Sequence, residues 1–69
     1  MESTVVVVVS DEQVPTLTEA DRCDGCGARA YVEALFETGT LLLCGHHATE
    51  GWARLEDQAI RIIDERWAI

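Results

Sequence analysis

Two short clusters govern what this chain can fold into. One is Cys23-Asp24-Gly25-Cys26-Gly27; the other, eighteen residues beyond Cys26, is Cys44-Gly45-His46-His47. A Cys-x-x-Cys pair, a long gap and a Cys-x-x-His pair is the ligand spacing of structural zinc sites, where thiolate and imidazole fill a tetrahedron. Two ligands three apart clasp one ion only if the backbone between them curls tightly. Gly25 and Gly27 permit that curl, and its amides can donate to the sulfurs. The expected ligands are Cys23, Cys26, Cys44 and His47, with His46 as the competing fourth ligand. Buried thiols without a metal are the plain alternative.

Size gives such a site its weight. Ordering 69 residues costs on the order of 100 kcal/mol, and apolar burial in so small a body about cancels it. A structural zinc ion contributes an apparent ~10–16 kcal/mol in small fingers, enough to decide the balance. The hydrophobic fraction of 48% is that of a folded domain.

Charge narrows the function. Thirteen Asp and Glu face five Arg and no Lys, for a net charge of −8. Nucleic acid is held mainly by Lys and Arg displacing counterions, so this balance argues against it and favours basic or neutral protein surfaces. Three cysteines cannot all pair, and together with the nearby His they fit a reducing compartment and a metal. Met1-Glu2-Ser3-Thr4 has no basic segment of the kind that opens a secretion signal. Val5 to Val9 is too short to span a bilayer. The expectation is a soluble cytoplasmic protein.

Along the chain, residues 1–16 read as a valine strand and linker, and 17–69 as the zinc-binding domain with a C-terminal amphipathic helix. Val5 to Val9, β-branched and without alternation, predict a strand covered on both faces, pairing within the chain or across a homodimer. Ser10 to Pro15 read as a turn or linker. Thr18-Glu19-Ala20-Asp21 has the pattern that caps a short helical turn. Ala30 to Phe36 predict a strand with Ala30, Val32, Ala34 and Phe36 on one face and Tyr31, Glu33 and Leu35 on the other. Gly39 closes a hairpin loop, and Thr40 to Leu43 return. From about Ala48 to Trp67, Trp52, Leu55, Ala59, Ile62 or Ile63, and Trp67 recur at helical spacing, opposite Arg54, Asp57, Gln58, Arg61, Asp64 and Glu65. Gly51 weakens the first turn of that helix. The fold class expected is a small α+β zinc-binding domain, treble-clef or zinc-ribbon-like: knuckle, β-hairpin, C-terminal helix, and an extra N-terminal strand.

Catalysis is not expected. A catalytic zinc keeps a position for water, whereas four ligands are at hand here, and no acid stands beside them as a general base. A redox Cys-x-x-Cys needs a thioredoxin-like surround that this chain is too short to build. No small-molecule substrate is indicated. The apolar helix face, with Trp52, Leu55, Ile62, Ile63 and Trp67, is the expected partner-binding surface, since Trp is enriched at binding hot spots. The reading is a non-catalytic interaction or regulatory module holding structural Zn2+, with a protein partner or a second copy. The alternatives are a nucleic-acid-binding finger acting as a transcriptional regulator, and an acidic decoy of a basic host protein.

The stretch from Leu17 to Val32, built around Asp21-Arg22-Cys23-Asp24-Gly25-Cys26-Gly27-Ala28, together with Leu43-Cys44-Gly45-His46-His47, resembles a family of short uncharacterised zinc-ribbon-like proteins of actinobacteria and their phages. Its core has the form L-T-x-x-D-R-C-D-x-C-G-A, then a hairpin, then C-x-H-H. The resemblance implies a cytoplasmic protein with its metal on Cys23, Cys26, Cys44 and one of the two His. It brings no activity with it.

Overall fold

A computed structural model describes residues 6–9 and 16–69. In chain order it contains β1 (Val6–Val9), β2 (Val32–Phe36), β3 (Gly39–Leu43), α1 (Gly45–Glu50), α2 (Trp52–Gln58), β4 (Arg61–Asp64) and a 3-10 turn over Arg66–Ala68. The strands form one sheet in the order β1-β4-β2-β3. Val5 and the turn expected over Ser10 to Pro15 lie outside the described residues.

The hairpin forms as its alternation dictates. Val32 and Ala34 are fully buried, Phe36 packs against the same core, and Glu33 and Leu35 point to the other face. Glu37 and Thr38 make the loop, and Gly39 takes φ +144°, a conformation that side chains disfavour. Register then runs from Phe36↔Gly39 to Val32↔Leu43. Thr18 to Asp21 close a single turn rather than a helix. The Thr18 amide donates to the Asp21 carboxylate at 2.8 Å and the Asp21 amide to the Thr18 carbonyl at 3.0 Å.

The long C-terminal helix is the main correction. The chain forms two short helices joined at Gly51, then leaves the helix at Ala59 and enters a strand. Ile60, Ile62 and Ile63 are β-branched, and Arg61 to Asp64 alternate outward and inward, which suits a pleated strand better than a helix. The three- and four-residue spacing that linked Ala59, Ile62 and Trp67 was coincidental. As the interior strand between β1 and β2, β4 satisfies its backbone on both sides: parallel to β1 with Val7↔Ile62, antiparallel to β2 with Ala34↔Ile62.

α1 and α2 cover one face of the sheet. The core there comprises Val32, Ala34, Ala48, Leu55, Ala59 and Ile62, with Phe36, Leu43 and Trp52 against it. β1 is an edge strand and not the doubly covered strand expected: Val6 is 53% exposed and Val7 39%. The opposite sheet face carries Glu33, Leu35, Thr40, Arg61 and Ile63 around a shallow hollow of about 190 Å³. Among the described residues no helix is long and apolar enough to cross a membrane.

Two acids expected on an exposed helix face are buried instead. Glu65 is 1% exposed, and its carboxylate accepts from the Thr16 amide (2.8 Å), the Thr16 hydroxyl (2.7 Å) and the Leu17 amide (3.1 Å). This clasp ties the start of the compact domain to the end of β4. Asp64 takes a bidentate pair from Arg66, at 2.9 Å from Nε and 2.7 Å from a terminal nitrogen. That hydrogen bond and the guanidinium charge hold its carboxyl below the usual range despite burial. The same guanidinium lies 4.3 Å from the centre of the Trp52 ring and donates to the Thr49 hydroxyl, fastening β4 to both helices.

Candidate metal centre

The first ligand pair sits in a knuckle whose arms are stitched together. The Cys23 amide donates to Ala28, the Gly27 amide to Cys23, and Arg22 and Arg29 form a single antiparallel bridge. Gly27 takes φ +81°, the left-handed turn that reverses the chain after Cys26. Gly25 lies against the ligands: a β-carbon there would stand in ordinary van der Waals contact, 3.4 Å from His47 Nδ1 and 3.6 Å from Cys23 Sγ. Its amide donates to Cys23 Sγ at 3.3 Å.

The second pair is set by the start of α1. Cys44 is the N-cap, in extended conformation, and its sulfur accepts the His47 amide at 3.4 Å in the place usually taken by a Ser or Asp oxygen. One turn on, His47 therefore shares a side with Cys44 and aims Nδ1 at the knuckle. Asp24 holds the two halves in register. Its amide donates to the Leu42 carbonyl at 2.8 Å and its carboxylate accepts the Leu42 amide at 2.9 Å, so the knuckle is laced to the outer edge of β3.

The sulfurs of Cys23, Cys26 and Cys44 and the ring nitrogen of His47 thus lie within 4.8 Å of one another. A tetrahedral ion with Zn–S near 2.3 Å and Zn–N near 2.0–2.1 Å needs edges of about 3.8 Å between sulfurs and about 3.5 Å from sulfur to nitrogen. Cys26 and Cys44 sulfurs stand 3.8 Å apart, and His47 Nδ1 is 3.3 Å from Cys23 Sγ and 3.5 Å from Cys44 Sγ. These three separations fit an ion of that size, and the whole set lies within 4.8 Å. Of the two histidines, the structure brings only His47 into the cluster. His46 is solvent-exposed on the next face of α1, with Nε2 3.3 Å from the Glu50 carboxylate.

Electrostatics favour thiolate at the buried corner. Burial pushes the Cys23 thiol up, but amide donors from Cys44 and Gly25 and the His47 ring outweigh it and hold it at about 6. At the exposed Cys26, the Ala28 amide favours thiolate, while desolvation and the neighbouring Cys23 and Cys44 sulfurs raise it overall. The Cys23 and Cys44 sulfurs raise the His47 imidazole against the effect of desolvation. Three sulfurs competing for negative charge around one point are what a cation would relieve.

The residues expected to share a partner-binding helix face do not share one. Leu55 and Ile62 are core, Ile63 points to the opposite side of the sheet from Ile62, and Trp52 is packed against the core beneath Arg66. Trp67, on the 3-10 turn, remains 38% exposed. Sequence reasoning missed Asp24 and Glu65. Asp24 had a signal, since an acid between two Gly-flanked ligands is placed to cap whatever strand passes the knuckle. Glu65 had none, because nothing marks a buried glutamate inside an acidic segment.

No curated protein and no solved structure matches the chain. Residues 17–69, from the Glu65-clasped Leu17 through the knuckle, hairpin, helices and β4, match one family model, and the chain belongs to that family, described as a domain of unknown function (DUF7455).

Proposed function

We propose that this chain is a non-catalytic module, stabilised by structural zinc, that works by binding another protein. The observation that carries the reading is the donor set: Cys23, Cys26, Cys44 and His47 converge within 4.8 Å, three of their separations matching a tetrahedral ion. Four protein donors leave no coordination position for water or substrate, so zinc here supplies folding energy and not Lewis-acid chemistry. The order knuckle, hairpin, then helix with the last two ligands in its first turn supports a treble-clef description, extended here by β4. Free thiols in the cluster favour a cytoplasmic setting. The actinobacterial or phage origin implied by the family resemblance belongs to the same reading.

Binding is supported by what the scaffold leaves uncovered. Leu35, Ile60, Trp67 and Ile69 are exposed on a chain whose core is already filled by others. The net charge of −8 disfavours the nucleic-acid alternative and is compatible with a decoy for a basic protein.

The test is reconstitution. Purified chain is expected to carry one zinc and to form a saturable complex of fixed stoichiometry with a purified partner, while duplex DNA binds only weakly. Zinc that exchanges a ligand for water and hydrolyses a substrate would overturn the reading, as would tight DNA binding that weakens steeply with salt.

A further inference from the structure

β1 differs from the other strands in two respects. It joins the sheet in parallel, whereas β4, β2 and β3 pair antiparallel. It also lies outside the family match, which begins at Leu17 and contains both helices and the other three strands. The matched portion alone is a three-stranded sheet ending on β4. An outer strand of that kind presents a row of unpaired N–H and C=O groups, a template for one more strand.

In this chain Val6–Val9 fill that template, from Val6↔Arg61 to Val9↔Asp64, with the Val6 amide donating to the Ile60 carbonyl at 3.3 Å. Val6 is 53% exposed and Val7 39%, so these side chains are less covered than those of β4 and β2 at the centre of the sheet. The ladder carries a correspondingly larger share of the attachment. The Glu65 clasp on Thr16 and Leu17 fixes the compact domain independently of β1.

We infer that the outer edge of β4 is a peptide-binding site, occupied here by the chain's own Val6–Val9. In their place it takes an extended, uncharged, β-branched segment of a partner protein in the same parallel register. The recognition is strand addition: main-chain hydrogen bonds supply affinity, and alternate side chains on the two sheet faces supply selectivity. This rests on the protein-binding reading above and specifies its surface. The chain's own strand then acts as an intramolecular competitor, which a partner segment must displace.

The full-length chain tests it. Ladder alternation in a parallel pair turns the Val8 amide, like that of Val6, toward β4. Val8→Pro removes that donor and frees the edge. The probe is a fluorescein-labelled peptide of the chain's own residues 2–13, its acidic ends keeping it soluble. Anisotropy is expected to show saturable binding to Val8→Pro at least tenfold tighter than to the unaltered chain, and none by a peptide carrying the same proline. Should Val8→Pro fail to fold, excess peptide is added to the unaltered, isotope-labelled chain. The chain's own Val6 and Val8 amide signals are expected to move as their strand is displaced, while that of Ala34 stays. Equal binding to both proteins, or binding to neither with those signals unmoved, overturns the inference. A reconstituted partner that still binds both proteins equally would leave the protein-binding reading standing and remove only the β4 edge. Loss of all partner binding with the peptide result intact would remove the protein-binding reading and reduce the β4 edge to a seat for the chain's own strand.

Discussion

Replacing Glu65 with alanine strips the acceptor from three donors at once: the amide and hydroxyl of Thr16 and the amide of Leu17. Hydrogen bonds to a charged group contribute about 1.5–3 kcal/mol each, but Thr16 is exposed and water replaces much of its share. Leu17 is buried, and an orphaned buried amide costs about 1–3 kcal/mol. Removing a carboxylate that is only 1% exposed also removes its desolvation penalty, which offsets part of the loss. The net expectation is a destabilisation of about 2–4 kcal/mol for Glu65→Ala. Glu65→Gln keeps the shape but turns an NH2 group toward donors, and about half of that loss is expected. Urea unfolding in zinc-buffered solution measures both. With a slope near ~1 kcal/mol/M for so small a domain, the midpoint for Glu65→Ala falls by about 2–4 M. Glu56→Ala, exposed on α2, is the control and stays within about 0.5 kcal/mol of the unaltered chain. A Thr16→Val and Glu65→Ala double-mutant cycle is expected to couple by about 0.5–1 kcal/mol. Glu65→Ala as stable as the control, with no coupling to Thr16, would refute the clasp.

Other consequences follow from single residues. Ile62→Ala, at the fully buried centre of β4, is expected to cost about 2–5 kcal/mol, and Ile63→Ala on the open face distinctly less; thermal unfolding compares them. Gly27→Ala forces a side chain into φ +81° and is expected to cost about 1–2 kcal/mol and speed zinc loss to a chelator, with the metal still bound at saturation. Because Arg66 holds the Asp64 carboxyl below its unfolded range, their pairing stabilises the fold above the unfolded Asp value and fades as pH falls through the folded one. Carbon-13 titration is expected to place Asp64 below the usual aspartate range, and Arg66→Met to move it back up.

The local part of this structure was legible in the sequence. Alternation at Val32, Ala34 and Phe36 gave the buried face of β2, Gly39 marked the hairpin, and the Cys and His spacing marked the cluster. Each depends on neighbours a few residues apart. The non-local part was hidden. Ile60 to Asp64 satisfies a helical and a strand pattern at once, and the choice falls to β2 and β1, whose pairing partners lie about thirty and fifty-five residues away. Once β4 exists, Asp64 and Glu65 are carried into the interior, where Arg66 and the Thr16–Leu17 amides receive them. The Trp52, Leu55 and Ile62 surface that looked surplus on a helix becomes core for the same reason.

Native mass spectrometry of the purified chain, before and after exhaustive chelation and alongside circular dichroism, tests the centre most directly. The expected result is one zinc per chain, retained in His46→Ala, lost in His47→Ala and Cys23→Ser, with the fold lost on chelation. A chain that carries no metal and still unfolds cooperatively, or one whose zinc depends on His46 and not His47, would contradict this account.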